Sequence, residues 1–136
     1  MLRFIRRRVY METILLVDDN PLRAAMRKSL FEGGVPEVVR ALDAGEALCL
    51  VESPEFAQNL ALVVTGHILS GISGPEFVAE FRSRMPEVPV LVLGTSPGIE
   101  QEYAGIPGVA ISESGSPEDL RNLVRLLLST GQRQSA

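Results

Sequence analysis

The sequence predicts an α/β fold, with a parallel sheet covered by helices on both of its faces. Short apolar runs alternate repeatedly with helix-like segments along the chain, as in strand–helix units joined by right-handed crossovers. Several runs are apolar without a break, for example residues 14–17 and 90–93. Unbroken apolar runs of this length are typical of strands that are buried on both faces of a sheet.

Composition sets the limits of this prediction. The chain has 136 residues, of which 46% are hydrophobic and 22% charged, so we expect one globular domain and not a disordered chain. The net charge of −4 argues against a nucleic-acid-binding protein, which would be basic. A lone cysteine, Cys49, excludes an internal disulfide and is expected to be a small buried hydrophobe. No apolar run is long enough to span a membrane, and we expect a cytoplasmic protein.

The first residues differ from the rest of the chain. Residues 1–11 are expected to form a flexible basic extension, the domain to occupy residues 12–130, and a tail to follow at 131–136. The extension is either a basic arm that docks on an anionic surface or a segment that precedes the true start of the domain at Met11. The apolar stretch after it is too short for a secretion signal. The arginines of the extension are Arg3, Arg6, Arg7 and Arg8.

Five segments are predicted as strands, and binding sites in open parallel sheets form beyond the carboxyl ends of the strands. Attention therefore falls on the residues that follow each strand, above all the pair Asp18 and Asp19. Two adjacent carboxylates suit a hard divalent cation such as Mg²⁺; alternatively, they only begin a loop and favour the helix after it. The predicted strands are residues 14–17, 37–41, 60–64, 90–93 and 109–111.

The first predicted helix begins at Asn20-Pro21, where asparagine is a good cap and proline suits the first turn. Its Leu22, Met26 and Leu30 share one apolar face, and glycines end it at residues 33–34. The second helix is predicted from Asp43 to the Ser53-Pro54 pair, and the third from Gly74 to Met85, with an inward stripe of Phe77, Val78 and Phe81. Residues 99–104 are predicted to form a single turn of helix or a loop. The last helix is predicted from Ser116-Pro117 to Gly131.

Four stretches in the expected order resemble a response-regulator receiver domain. They are residues 14–21, 62–74, 89–93 and 116–120, and the similarity covers about residues 12 to 130. The resemblance implies a flavodoxin-like, doubly wound, five-stranded parallel sheet of order 2-1-3-4-5. It also implies a role in two-component phosphorelay signalling.

Receivers accept a phosphoryl group from a histidine kinase on an aspartate at the end of the third strand. An acidic pair holds Mg²⁺ beside it, and a hydroxyl and a lysine after the fourth and fifth strands contact the phosphoryl group. Here the acidic pair is Asp18 and Asp19, the acceptor position is Gly66, the hydroxyl position is Gly94, and the lysine position is Glu113. Glycine cannot form an acyl phosphate, so the resemblance implies a degenerate receiver.

The expected function is therefore that of a pseudo-receiver, not an enzyme, which works by protein–protein contact. It requires no cofactor, and its acidic pair is at most a weak or vestigial Mg²⁺ site. Expected partners are a histidine kinase, another receiver or an output protein, or a second copy bound through the predicted fourth-helix, fifth-strand and fifth-helix face. The alternative is a competent acceptor that uses Thr65, His67 or Thr95 in place of the aspartate, although His67 is otherwise expected to be an ordinary loop residue.

Overall fold

The computed structural model describes residues 12–33, 35, 37–113 and 115–135, those from 130 onward by their backbone alone. It contains a five-stranded parallel sheet in the order β2-β1-β3-β4-β5, which confirms the predicted topology. The predicted basic extension at 1–11 lies outside the described residues. The strands are β1 (Thr13–Val17), β2 (Glu37–Ala41), β3 (Leu60–Gly66), β4 (Val90–Leu93) and β5 (Val109–Ser112).

Helices cover both faces of the sheet. In the described residues they are α1 (Pro21–Phe31), α2 (Ala44–Leu50), α3 (Pro54–Asn59), α4 (Gly74–Arg84), α5 (Ile99–Glu102) and α6 (Pro117–Ser135). None of the helices described is long and apolar enough to cross a membrane.

Alternate residues of the strands divide the core into two layers, because successive side chains of a strand point to opposite faces of the sheet. Leu15 and Val63 pack with Phe77 and Phe81 of α4 and with Ile99 of α5. The neighbouring strand residues pack on the other face with α1 and α6. That second layer includes Ile14, Leu16, Leu62, Val64, Phe31, Leu120 and Val124.

Helix caps explain most of the helix starts. Asn20 accepts a hydrogen bond from the Arg23 amide, and Asp43 accepts one from the Glu46 amide, as expected of N-cap side chains. The second helix, α2, ends at Leu50, shortly before the Ser53-Pro54 pair that was expected to end it, but the second role of this pair was not predicted. The pair starts the additional helix α3, since Ser53 caps it and proline occupies its first turn.

Two predictions of apolar packing are wrong, because the residues concerned are exposed. Leu22 and Met26 are 78% and 71% exposed, because α1 turns Ala24 and Phe31 toward the core instead. Cys49 is exposed, since the inward positions of α2 are taken by two small alanines, Ala44 and Ala47.

The last helix is longer than predicted. Its backbone continues through Gly131 to Ser135, which a single glycine permits at a cost of about 1 kcal/mol relative to alanine.

Candidate functional site

The register of the strands brings the predicted site positions to one edge of the sheet. Val17 pairs with Thr65, and Gly66 pairs with Leu93, so Asp18 and Gly66 leave neighbouring strands at the same level. The Gly94 amide donates to the Ser112 carbonyl at 3.2 Å, which places Gly94 beside the start of the loop after β5.

Asp18 is the buried anion of this edge, with only 1% of its side chain exposed. Arg23 holds it in a fork: its Nη2 donates to Oδ1 at 2.8 Å and its Nε to Oδ2 at 3.0 Å. The Nη1 of Arg27 donates to Oδ2 at 2.9 Å, and the Asn20 amide donates to Oδ1 at 3.0 Å. Both oxygens of the carboxylate therefore have partners from the protein itself.

The pKa of Asp18 reflects these partners. Burial alone would raise the pKa, but the hydrogen bonds from Arg23 and the Asn20 amide and the charges of Arg23 and Arg27 outweigh burial, so the pKa is lowered. The hydrogen bond to Asp18 raises the pKa of Arg23, whereas burial lowers the pKa of Arg27 in spite of its pairing. Asp18 is therefore charged over the whole physiological range and is compensated by two guanidinium groups.

These residues do not fit a magnesium ion. Mg²⁺ needs free carboxylate oxygens, and both oxygens of Asp18 are occupied by guanidinium groups. Asp19 is half-exposed and accepts a hydrogen bond from Ser70 at 3.1 Å. Within the described residues, no group of three or more His, Cys, Asp and Glu side chains could hold a metal. The positive charge beside Asp18 comes from Arg23 and Arg27, which the sequence reasoning had overlooked.

The two glycines of the site differ in the space around them. A Cβ atom built on Gly66 would meet nothing closer than the Ile68 carbonyl, at 3.8 Å. A Cβ atom on Gly94 would lie 2.7 Å from Cδ1 of Ile99 and 2.9 Å from Cβ of His67. The fold thus tolerates a side chain at residue 66 but leaves no room for one at residue 94.

This contrast gives a first prediction. Gly94→Ala is expected to lower the free energy of unfolding by about 1–3 kcal/mol, because overpacking a filled core forces its neighbours to shift. Gly66→Ala, the matched control, is expected to leave it unchanged or raise it by about 0.4–1 kcal/mol through the stiffer unfolded chain. Urea unfolding followed by circular dichroism measures both, and equal effects would contradict the difference in packing.

His67 lies in the loop after β3, as expected, and it also makes two contacts that the sequence did not predict. Its Nδ1 forms a 2.8 Å hydrogen bond with the hydroxyl of Tyr103, and its Nε2 lies 3.6 Å from a carboxylate oxygen of Glu102. Burial, followed by the charge of Glu102, raises the pKa of Tyr103 to about 12, so the tyrosine keeps its proton. The pair fastens the loop after β3 to the end of α5, across 36 residues of sequence.

The structure also describes the surroundings of three other predicted site residues, Thr65, Thr95 and Glu113. Thr65 is fully buried, and its hydroxyl donates to the Gly66 carbonyl at 3.1 Å. Thr95 and Glu113 are exposed and line a cleft between α1 and α6 together with Gly94. The described residues that line this cleft include no lysine.

Comparisons with known proteins identify the fold. No family model and no curated protein matches the sequence. Among solved structures, the receiver domain of an HD-domain protein from Pseudomonas fluorescens Pf-5 superposes with a TM-score of 0.80 at 19% identity, covering 93% of each chain. The response regulator TrrA of Thermotoga maritima, solved with Mg²⁺ and BeF, gives 0.68 at 27% identity over 86% of this chain and 99% of its own.

A third structure agrees with these two. The chemotaxis response regulator CheY4 of Vibrio cholerae gives a TM-score of 0.70 at 26% identity, covering 86% of this chain and 98% of its own. The fold is therefore that of the receiver domains of response regulators, as the four sequence stretches had indicated.

Proposed function

We propose that this chain is a pseudo-receiver: a signalling domain of two-component phosphorelay systems that acts by protein–protein contact and is not phosphorylated at the usual position. The observation that supports this most is the pairing of Asp18 with Arg23 and Arg27 beside Gly66. Residue 66 has no carboxylate, and both oxygens of the neighbouring Asp18 carboxylate accept hydrogen bonds from guanidinium groups.

The charges at the strand ends also argue against phosphorylation at the usual position. An acyl phosphate requires a carboxylate, which Gly66 does not have. Glu113 presents a negative charge where a receiver lysine would offset the charge of the phosphoryl group, and like charges at short range repel each other. A phosphoryl group would therefore find no acceptor here and an unfavourable neighbour.

A receiver without an acceptor has no phosphorylation equilibrium to shift, so we expect one resting conformation whose activity depends on the amount of partner. The hydrogen bond between His67 and Tyr103 favours a single state, because it ties the loop after β3 to α5.

The partners of this module would be a histidine kinase, another receiver or an output protein in the cytoplasm, or a second copy of the chain. The face that we propose for docking consists of α5, β5 and α6, which correspond to the predicted fourth helix, fifth strand and fifth helix. Leu126 on α6 is 59% exposed. Leu127 lines a depression at the β5 edge together with Val109 and Ala110, so this face offers apolar side chains to a partner.

The substitute acceptors gain no support from their surroundings. Thr65 is buried and its hydroxyl already donates to a carbonyl. Both ring nitrogens of His67 face partners, Tyr103 and Glu102. Thr95 is accessible, but it lies beside Glu113 in the same cleft.

Acetyl phosphate tests the proposal directly. We expect the intact mass of the purified protein to stay unchanged after incubation with acetyl phosphate and Mg²⁺, while a phosphorylatable receiver treated in parallel gains one phosphoryl group. Stoichiometric addition of a phosphoryl group would overturn the proposal, and mapping the adduct would then identify the residue that carries it.

A further inference from the structure

We propose that the cleft between α1 and α6 binds a small organic anion with an apolar body, such as a medium-chain or aromatic carboxylate. The cleft has a volume of about 440 Å³ and lies at the carboxyl ends of β4 and β5. Small-molecule sites commonly have volumes of about 300–1,000 Å³, apolar walls and a few convergent polar groups. This inference is independent of the proposed function, because it concerns a different ligand from the phosphoryl group.

Apolar side chains form much of the cleft. Leu30, Leu93 and Leu120 line it, and Met26 stands at its rim with 71% of its surface exposed. A methionine is a flexible side chain that adapts to the shape of a ligand. Burying these side chains against an apolar ligand would remove hydrocarbon surface from water.

Arg27 supplies the charge that would recognise an anion. It lines the cleft, and its side chain is 23% exposed. Only its Nη1 donates to Asp18, and within the described part of the chain its remaining N–H groups have no acceptor. Burial lowers the pKa of Arg27 in spite of Asp18, so a second anion would offset a desolvation cost that Asp18 compensates only in part.

Ser112 supplies a second, independent observation. It lines the cleft and is only 9% exposed. Its carbonyl accepts from Gly94, but its hydroxyl has no hydrogen-bond partner among the residues that the structure describes. A buried hydroxyl without a partner is rare and costly, and a ligand oxygen in the cleft would satisfy it.

Arg27 is the donor in the cleft that favours an anion over a cation. Asp18 is neutralised by Arg23 and Arg27 together, and Arg23 also lies 3.6 Å from a carboxylate oxygen of Asp19, so the attraction of an anion rests on the remaining N–H groups of Arg27 and not on an excess of positive charge. Among the described residues that line the cleft, Glu113 is the one acidic side chain. It is exposed, and water screens its charge. Asp19 is not part of the lining. A carboxylate placed beside Arg27 would therefore meet an unpaired donor in the less exposed part of the cleft.

Three probes with the same eight-carbon body separate the possibilities: octanoate, octanol and octylamine. In amide NMR titrations of the full chain, we expect octanoate to shift signals of the residues that line the cleft. We expect octanol to bind about tenfold more weakly, since it lacks the charge, and octylamine to shift none of these signals. Equal shifts from all three probes, stronger binding of octylamine, or no shift in the cleft at millimolar octanoate would overturn the proposal.

Two variants locate the head group. Arg27→Met is expected to weaken octanoate binding about tenfold and to leave octanol binding unchanged, whereas Arg84→Met on the opposite face of the sheet changes neither. Ser112→Ala removes the hydroxyl with little change of shape. It is expected to leave the melting temperature unchanged or higher and to weaken octanoate binding several-fold. If Ser112→Ala lowers the melting temperature and leaves octanoate binding unchanged, the hydroxyl is structural and is not part of a binding site.

Discussion

Replacing both Arg23 and Arg27 with methionine is expected to lower the free energy of unfolding at neutral pH by about 3 kcal/mol. Removing the partners of a buried charge costs about 3–5 kcal/mol, because the charge stays buried without compensation. The lower end applies here, since 48% of the Arg23 side chain is exposed and water would reach part of the vacated space. Urea unfolding of the double variant and of the original chain gives the difference.

The pH dependence of stability should change sign with this substitution. In the original chain the pKa of Asp18 is lowered, so its contribution to stability is present above the unfolded value of 3.8 and is lost as the pH falls through the folded pKa. Without the arginines, burial dominates and raises the pKa of Asp18. The penalty is then absent below the unfolded pKa and grows as the pH rises to the new folded value, so acid should partly rescue the double variant.

Neutralising the buried group provides the control. Adding Asp18→Asn to the double variant is expected to recover most of the lost stability, because replacing a whole buried ion pair with neutral groups is often close to neutral in free energy. Arg84→Met, which removes an exposed arginine paired with Glu80, should cost less than about 1 kcal/mol. If the triple variant is no more stable than the double variant, the loss comes from packing of the arginine stems and not from an uncompensated charge.

The sheet could be predicted from the sequence because four of its five strands, all but β2, contain an unbroken apolar run. Such a run is typical of a strand that is covered on both faces, and its alternation with helices indicates a parallel sheet. The order of the strands was implied by the resemblance to receiver domains. The short α5 lies in the segment that was predicted as a single turn or a loop, since glycine and proline leave only a few residues for it. The residues that pack most tightly, such as Phe77 and Phe81 on α4, followed from helical spacing.

The first helix shows where this reasoning fails. An apolar face was expected at Leu22 and Met26, which are exposed, while Arg27 is the less exposed side chain. A hydrophobic pattern cannot reveal that an arginine is turned inward by a buried carboxylate nine residues earlier. The available signal was the spacing of Arg23 and Arg27, four residues apart on a helix that begins directly after an acidic pair. That spacing places both guanidinium groups on the side of the first strand end.

The His67–Tyr103 pair was missed for a related reason. The two residues are 36 positions apart, and nothing in their local sequence indicates contact. The contact depends on Gly94, where a Cβ atom would clash with His67 and Ile99. What had been interpreted only as a lost hydroxyl position is therefore also a packing requirement.

Gly66→Asp alone is expected to leave the protein unphosphorylated in acetyl phosphate and Mg²⁺. The backbone at residue 66 accepts a side chain without a clash, so the variant should fold. Its new carboxylate would lie beside Asp18, because residues 18 and 66 follow neighbouring strands, which are about 5 Å apart in a sheet. At that distance it would join the ion pair with Arg23 and Arg27, and it would not complete a metal site. Glu113 would also remain as a repelling charge.

Freeing the acidic pair should change this result. In a variant that combines Gly66→Asp with Arg23→Met, Arg27→Met and Glu113→Lys, three carboxylates lie at the strand ends without guanidinium partners, which is the oxygen-ligand set that Mg²⁺ prefers. We expect this variant to bind Mg²⁺ at millimolar concentration, seen as amide shifts at Asp18 and Asp19, and to take up a phosphoryl group by intact mass. The same combination with Gly66→Asn is the matched control and should do neither. Full phosphorylation of the single Gly66→Asp variant would show that the two arginines and Glu113 do not block the site, and would contradict the explanation that Arg23 and Arg27 keep Asp18 from holding a metal.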